Sequence, residues 1–291
     1  MSELAVPFEP RAGWWARVRA DEERMTAVRE CWRALWISRA VVWVAGVGTV
    51  LAFGFGPART AFDPPGVTRG FGWLGDLLAA PAARWDAAWY LVIAHYGYRP
   101  ELGAFTSSRT AFFPLYPLGL RAIAWLGAPP VAAGVALSVA ALAAALYGIH
   151  RLTTLELTAG ARACPDRVAA AARLAVMLTA LAPMAFFFSA VYSESLYLAL
   201  SVGLFACARR GRWMWVGVLG ALAGVTRSTG LVLALPALMI YLYGPREDRA
   251  RDFYEDRLRR SGRAAAGGAR ERAVRLIAGR LAPRYALRLS L

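Results

Sequence analysis

Long apolar runs recur along the chain, separated by short clusters in which arginines, acids and aromatic rings gather. A helix needs about twenty apolar residues to cross a bilayer. On that ground the runs Trp36–Phe55, Val131–His150, Ala170–Val191 and Ser195–Ala208 predict crossings. Trp213–Tyr243 is long for one crossing and is interrupted at "TRSTG", Thr226 to Gly230, which predicts two short legs. The pattern predicts an all-α fold, a polytopic transmembrane helical bundle.

One apolar stretch, Phe112–Leu126, decides the side on which every later loop falls. If it does not cross, Arg151–Arg167, Arg209–Arg212 and everything after Pro245 share the side of the arginine-rich N-terminus, as the positive-inside rule asks. If it crosses, the "RRGR" turn lands on the wrong side. Pro114 and Pro117 interrupt backbone hydrogen bonding there, which suits an interfacial or re-entrant helix. Residues 1–35 then read as a cytoplasmic N-terminal segment and 36–243 as the membrane module. Within that module, the extracytoplasmic loop 56–111 holds interfacial helices and 112–126 is the re-entrant helix. The basic tail 244–291 is cytoplasmic and suited to lie on anionic lipid headgroups. Arg11, Arg17, Arg19, Arg24, Arg29 and Arg33 precede the first run, too long a preface for a cleaved signal peptide, so the first span is expected to stay as an anchor.

Composition agrees with the membrane assignment and removes other classes. Hydrophobic residues make up 58% of the chain against 18% charged, with mean hydropathy +0.42. The net charge of +15 does not indicate nucleic acid, because the basic residues are spread between apolar runs and read as topology signals. All 34 basic residues are arginine, and Lys, Asn and Gln are absent, a bias that suggests a GC-rich bacterial source and leaves no N-glycosylation sequon. Cys31, Cys164 and Cys207 are isolated, so neither a disulfide nor a zinc site is expected.

Chemistry concentrates in a few clusters. In "RWDAAWYLVIAHYGY", Arg84 to Tyr98, a helical wheel puts Trp85, Trp89, Val92 and Tyr96 on one stripe, with Asp86 and Tyr90 on its flank. Arg84 points nearly the other way. Such a stripe suits a helix lying at the membrane interface. Asp86 reads equally as an N-cap and as a catalytic acid. Glu194, two residues after Tyr192 in "YSES", sits where the third span meets the fourth; it is either functional or a first-turn acid behind a Ser193 cap. Arg227 in "VTRSTG" could hold a phosphate or snorkel from a helix end. His95 could touch a phosphate or face water, and His150 is expected to be structural. No P-loop, HExxH or nucleophile elbow is present.

In that order, "RWDAAWYLVIAHYGY", "AFFPLYPL", "SAVYSESLYLAL" and "AGVTRSTG" resemble the PIG-V-like mannosyltransferases, related to GPI mannosyltransferase 2. These are membrane enzymes of the GT-C glycosyltransferase class, which includes bacterial members, and the resemblance covers roughly Ile37 to Tyr243. It implies a GT-C-like bundle that transfers a hexose, expected to be mannose, from a polyprenyl-phosphate sugar to a lipid or glycan hydroxyl on the outer face of the cell membrane. The acid in the first outer loop of such enzymes is catalytic, and Asp86 occupies that position. Glu194 and Arg227 match further motif positions. Family members continue through further spans where this chain turns basic, so a shortened member, a truncated reading frame and an inactive remnant all stay open.

Inverting transfer needs a base for the acceptor hydroxyl and a cation for the departing phosphate. Asp86 suits the first role; Arg227, assisted by His95, suits the second. Trp85, Trp89 and Tyr90 would stack on sugar or line the lipid entrance, with Arg84, Tyr192 and Glu194 beside them. No metal-ligand cluster stands out, so no cofactor is expected, with a divalent metal left open. Two rivals remain: a small transporter or flippase using Glu194 and Arg227 at midplane, and a non-catalytic subunit of a membrane transferase. The transporter lacks the paired broken helices that an inverted repeat supplies.

Overall fold

In a computed structural model, residues 22–55, 67–98, 110–158 and 164–243 are described. The predicted tail 244–291, residues 1–21 and the loop portions 56–66 and 99–109 lie outside them. The elements are α1 (Glu22–Phe53), α2 (Gly72–Ala79), α3 (Ala87–Tyr96), α4 (Leu115–Ala124), α5 (Pro130–Thr158), α6 (Pro165–Ala180), α7 (Glu194–Arg209), α8 (Trp213–Thr226) and α9 (Ala234–Tyr243). Single 3-10 turns at Ala185–Phe188 and Ser228–Leu233 precede α7 and α9. No β-strand occurs among the described residues, so the fold is all-α as expected.

Helices α1 and α5 are long and apolar enough to cross a membrane. α5 packs on α1, α4, α6 and α7, and α7 packs on α8. Exposed Trp36, Val41, Val44 and Leu51 on α1, and Leu235, Leu238 and Met239 on α9, form a surface made for lipid. α1 starts well before Trp36, the expected first membrane residue. Its buried Ala27, Cys31, Ala34, Leu35 and Ser38 recur at three- and four-residue spacing against the bundle, so tertiary packing extends the helix beyond its apolar run.

The expected third span, Ala170–Val191, stops as a helix at Ala180. Pro183 cannot donate to a continuing helix, and its ring disfavours helix in the residue before it. The freed carbonyls of Ala180 and Ala185 are taken by the guanidinium of Arg39, at 2.9 and 2.7 Å, and the same group reaches the Ser189 hydroxyl at 2.7 Å. Arg39 is buried in the middle of α1 and fastens this whole turn.

The two legs expected at Trp213–Tyr243 are present. Arg227 is extended (φ −155°, ψ 149°), which ends α8. The Trp213 and Tyr241 rings meet edge-on at 4.8 Å, so the second leg returns beside the start of the first. A Cβ at Gly230 would lie 2.3 Å from the Ala223 carbonyl carbon, so only glycine permits this crossing. The hairpin apex therefore stands at the α7 end that carries Glu194, while Arg209–Arg212 lies at the other end. α4 has ten residues, roughly 15 Å of helix, about half the hydrocarbon thickness.

The stripe expected on α3 does not form one exposed face. Ala87, Ala88 and the run Tyr90–Ala94 are buried, Trp85 precedes the helix, and Trp89 stacks on Phe112 with ring centres 5.9 Å apart. A helix apolar all round is packed inside protein. The exposed apolar face in this region belongs instead to α2, through Trp73, Leu74 and Leu78.

Candidate active site

The polar cluster is assembled where the turn before α3 meets the segment between α6 and α7. The Val191 amide donates to the Ala82 carbonyl at 3.0 Å, laying the two strands of chain side by side. Trp85 has φ 53°, which makes it the one non-glycine residue in the left-handed region among the described residues. That conformation is rare for a bulky side chain and marks stored strain.

The Tyr192 hydroxyl straddles the strained residue. It accepts from the Asp86 amide at 2.9 Å and donates to the Arg84 carbonyl at 3.3 Å. Burial, opposed by the bond from the Asp86 amide and reinforced by the charges of Asp86 and Glu194, pushes this phenol well above its ordinary range. It therefore stays protonated and can fill both roles at once. Arg84 reaches the Gly54 carbonyl at the end of α1 at 3.4 Å. The turn is thus tied to the bundle on both sides.

Asp86 stands at the N-cap position of α3 yet makes no side-chain cap bond. The carboxylate is exposed, so the capping alternative is not the one the fold adopts. Ser193 likewise makes no cap to α7; its hydroxyl pairs with Tyr90 at 2.9 Å. Glu194 Oε1 forms an ion pair with Arg227 Nη1, joining α7 to the α8–α9 apex. Arg227 is therefore paired rather than snorkelling. The second carboxylate oxygen of Glu194 is buried and has no partner. The Tyr90 and Tyr192 rings lie 6.0 Å apart, one reaching Ser193 beside Glu194 and the other the Asp86 amide, which sets the Asp86 turn against the start of α7.

The aromatic candidates divide. Trp85 is 68% exposed, its ring edge-on to Phe186 at 5.7 Å. Tyr90 is buried between Phe112 and Tyr116, at 5.2 and 5.1 Å. His95 is exposed with its ring against Tyr96, and no hydrogen bond joins it to the cluster. It sits near the far end of α3, roughly 13 Å of helix rise from Asp86. His150, expected to be structural, meets Glu30 at 3.1 Å. Among the described residues no group of three His, Cys, Asp or Glu side chains could hold a metal.

Several supporting residues escaped sequence reasoning. The Tyr116 hydroxyl donates to the Ser138 hydroxyl at 2.8 Å, with the Gly134 carbonyl also 3.0 Å away, and Ser138 donates to the Ala190 carbonyl at 2.8 Å. This buried network holds the Ala190–Ser193 segment in place. The available signals were a serine in an otherwise apolar run and, for Arg39, a single charge inside the first span.

The family profile described as mannosyltransferase (PIG-V) matches residues 72–243, from α2 to the end of α9. The chain belongs to this family. The PIG-V match contains Asp86, Tyr192, Glu194 and Arg227. The chain is 33% identical over 179 residues to the GPI alpha-1,6-mannosyltransferase 2 of Cricetulus griseus, covering 59% of this chain and 34% of that one. The Rattus norvegicus protein of the same description is 33% identical over 184 residues, with the same coverage. The Mus musculus protein is 34% identical over 160 residues, covering 52% of this chain and 29% of that one. The match thus extends over about a third of the length of these curated PIG-V relatives. No solved structure matches the chain.

Proposed function

We propose that this PIG-V family member is a membrane glycosyltransferase moving a hexose, mannose by analogy with its relatives, from a polyprenyl-phosphate sugar to a lipid or glycan hydroxyl on the extracytoplasmic face. What carries the proposal is the bracketed left-handed turn. It presents an exposed Asp86 carboxylate, free of any capping duty, beside the Glu194–Arg227 pair.

The chemistry follows from those positions. Asp86 takes the proton of the acceptor hydroxyl as its oxygen attacks the anomeric carbon. The bond from that carbon to the phosphate oxygen breaks on the opposite side, and the configuration inverts. Arg227 stabilises the charge gathering on the departing lipid phosphate. Glu194 aims the guanidinium and shares its charge until the phosphate arrives. Trp85 offers an exposed indole for the sugar, and the buried Tyr90 supports the site from beneath. Purified full-length chain, given polyprenyl-phosphate mannose and a panel of hydroxyl acceptors, should form mannosylated product, with transfer lost in Arg227→Gln. Absence of product with every acceptor, or full activity in that variant, contradicts the proposal.

A further inference from the structure

At the opposite end of the bundle from the polar cluster, a cavity of about 340 Å³ opens between α1, α5 and α7. The length of α7 alone, 16 residues, puts roughly 24 Å between the two places. Arg24, Arg151 and Arg210 stand at this cavity, with Val28, Tyr147 and Leu152 as apolar walls. Val28 and Tyr147 also begin an apolar trough of about 110 Å³ that continues past Trp32 and Ala143 to Leu35. From Arg24 to Leu35 the helix rises roughly 16 Å, close to the hydrocarbon depth of one leaflet.

Arg151 and Arg210 pair with no acid among the described residues. Glu30 is held by His150 and Arg173, and Glu156 by Arg209. Glu22 and Glu23 are exposed in the first turn of α1. Arg210 reaches only its own helix, the Ala206 carbonyl at 3.4 Å. Guanidinium forks match phosphate oxygens. A charged mouth that leads into a leaflet-deep apolar trough has the form of a lipid rather than of a free anion.

We propose that this groove is a binding site for one anionic phospholipid, its headgroup phosphate between Arg151 and Arg210 and an acyl chain along Val28, Trp32 and Ala143. The site is independent of the transferase chemistry. Native mass spectrometry of the full-length protein, delipidated and titrated with phosphatidylglycerol or phosphatidylcholine of matched chains, tests it. Wild-type protein should retain phosphatidylglycerol preferentially. Taking one arginine near an anionic surface as worth roughly fivefold, Arg151→Gln with Arg210→Gln should lower retention about 25-fold. The charge-keeping pair Arg151→Lys and Arg210→Lys should retain most of the binding, which separates lost charge from lost fold. Ala143→Trp should cut retention by filling the trough without touching a charge. Arg167→Gln, an exposed arginine at the start of α6, should leave retention unchanged. An equal loss in Arg167→Gln, no preference for phosphatidylglycerol, undiminished retention in Ala143→Trp, or displacement of the lipid by millimolar inorganic phosphate overturns the proposal.

Discussion

Tyr192→Phe removes one oxygen atom and tests how the Asp86 turn is held. Holding Trp85 in the left-handed region costs about 1–2 kcal/mol. The two hydrogen bonds of the Tyr192 hydroxyl, to the Asp86 amide and the Arg84 carbonyl, contribute about 1 kcal/mol each in net terms. The hydroxyl therefore roughly offsets the strain, and without it the turn should relax and carry the Asp86 carboxylate off its aim. Misplacement by about 1 Å is worth up to 10²-fold in rate. The variant should lose about that factor in kcat with little change in KM, measured by initial rates of mannosyl transfer on purified full-length protein. Trp85→Gly, which adopts positive φ without penalty, should restore thermal stability when added to Tyr192→Phe, since it removes the strain that the hydroxyl no longer opposes. A raised KM with unchanged kcat in Tyr192→Phe would refute this reasoning and make Tyr192 a substrate contact, as its sequence position alone suggested.

Arg39→Met leaves the carbonyls of Ala180 and Ala185 without their buried donor, at about 1–3 kcal/mol for each unsatisfied group. A clear fall in thermal unfolding temperature in detergent is expected, and an unchanged temperature removes Arg39 from its structural role. Arg227→Gln should lower kcat by about two decades or more, the loss typical of removing one donor to a developing anion. Glu194→Gln should cost less, because an amide can still accept from Arg227, and the reverse ranking would exchange their assignments. For topology, single cysteines at Leu126 and Asp166, in a variant with the native cysteines replaced, should label from the outer and the cytoplasmic face respectively; the reverse pattern breaks the proposed sidedness.

The helix-break at Arg227 was readable because glycine and small hydroxyl residues interrupt an apolar run there, a local signal. The ends of α1 and α6 were not, for different reasons. α1 is prolonged by packing of Cys31, Ala34 and Leu35 against distant helices, which hydropathy does not register. α6 is cut short at Pro183, a local signal that the surrounding apolar residues outweighed. In the candidate site, Asp86, Tyr192, Glu194 and Arg227 stood out as polar residues in an apolar chain. The relation between them did not, since the bridge from Tyr192 to Asp86 spans 106 positions. The positive φ of Trp85 has no sequence signature, as glycine is the residue normally found there. Trp85 and Trp89 looked alike on a helical wheel, yet one lies outside the helix and exposed while the other is packed on Phe112.

The catalytic assignment of Asp86 is tested most directly by the transfer rate of Asp86→Asn at matched protein levels. The carboxylate makes no cap bond, so Asn, and Ala as well, should fold and melt like the parent. Removing a general base should lower transfer by about two to four decades. A well-folded Asp86→Asn protein that transfers mannose at the parental rate would contradict the account and move the search for the base to Glu194, whose second oxygen is already buried without a partner.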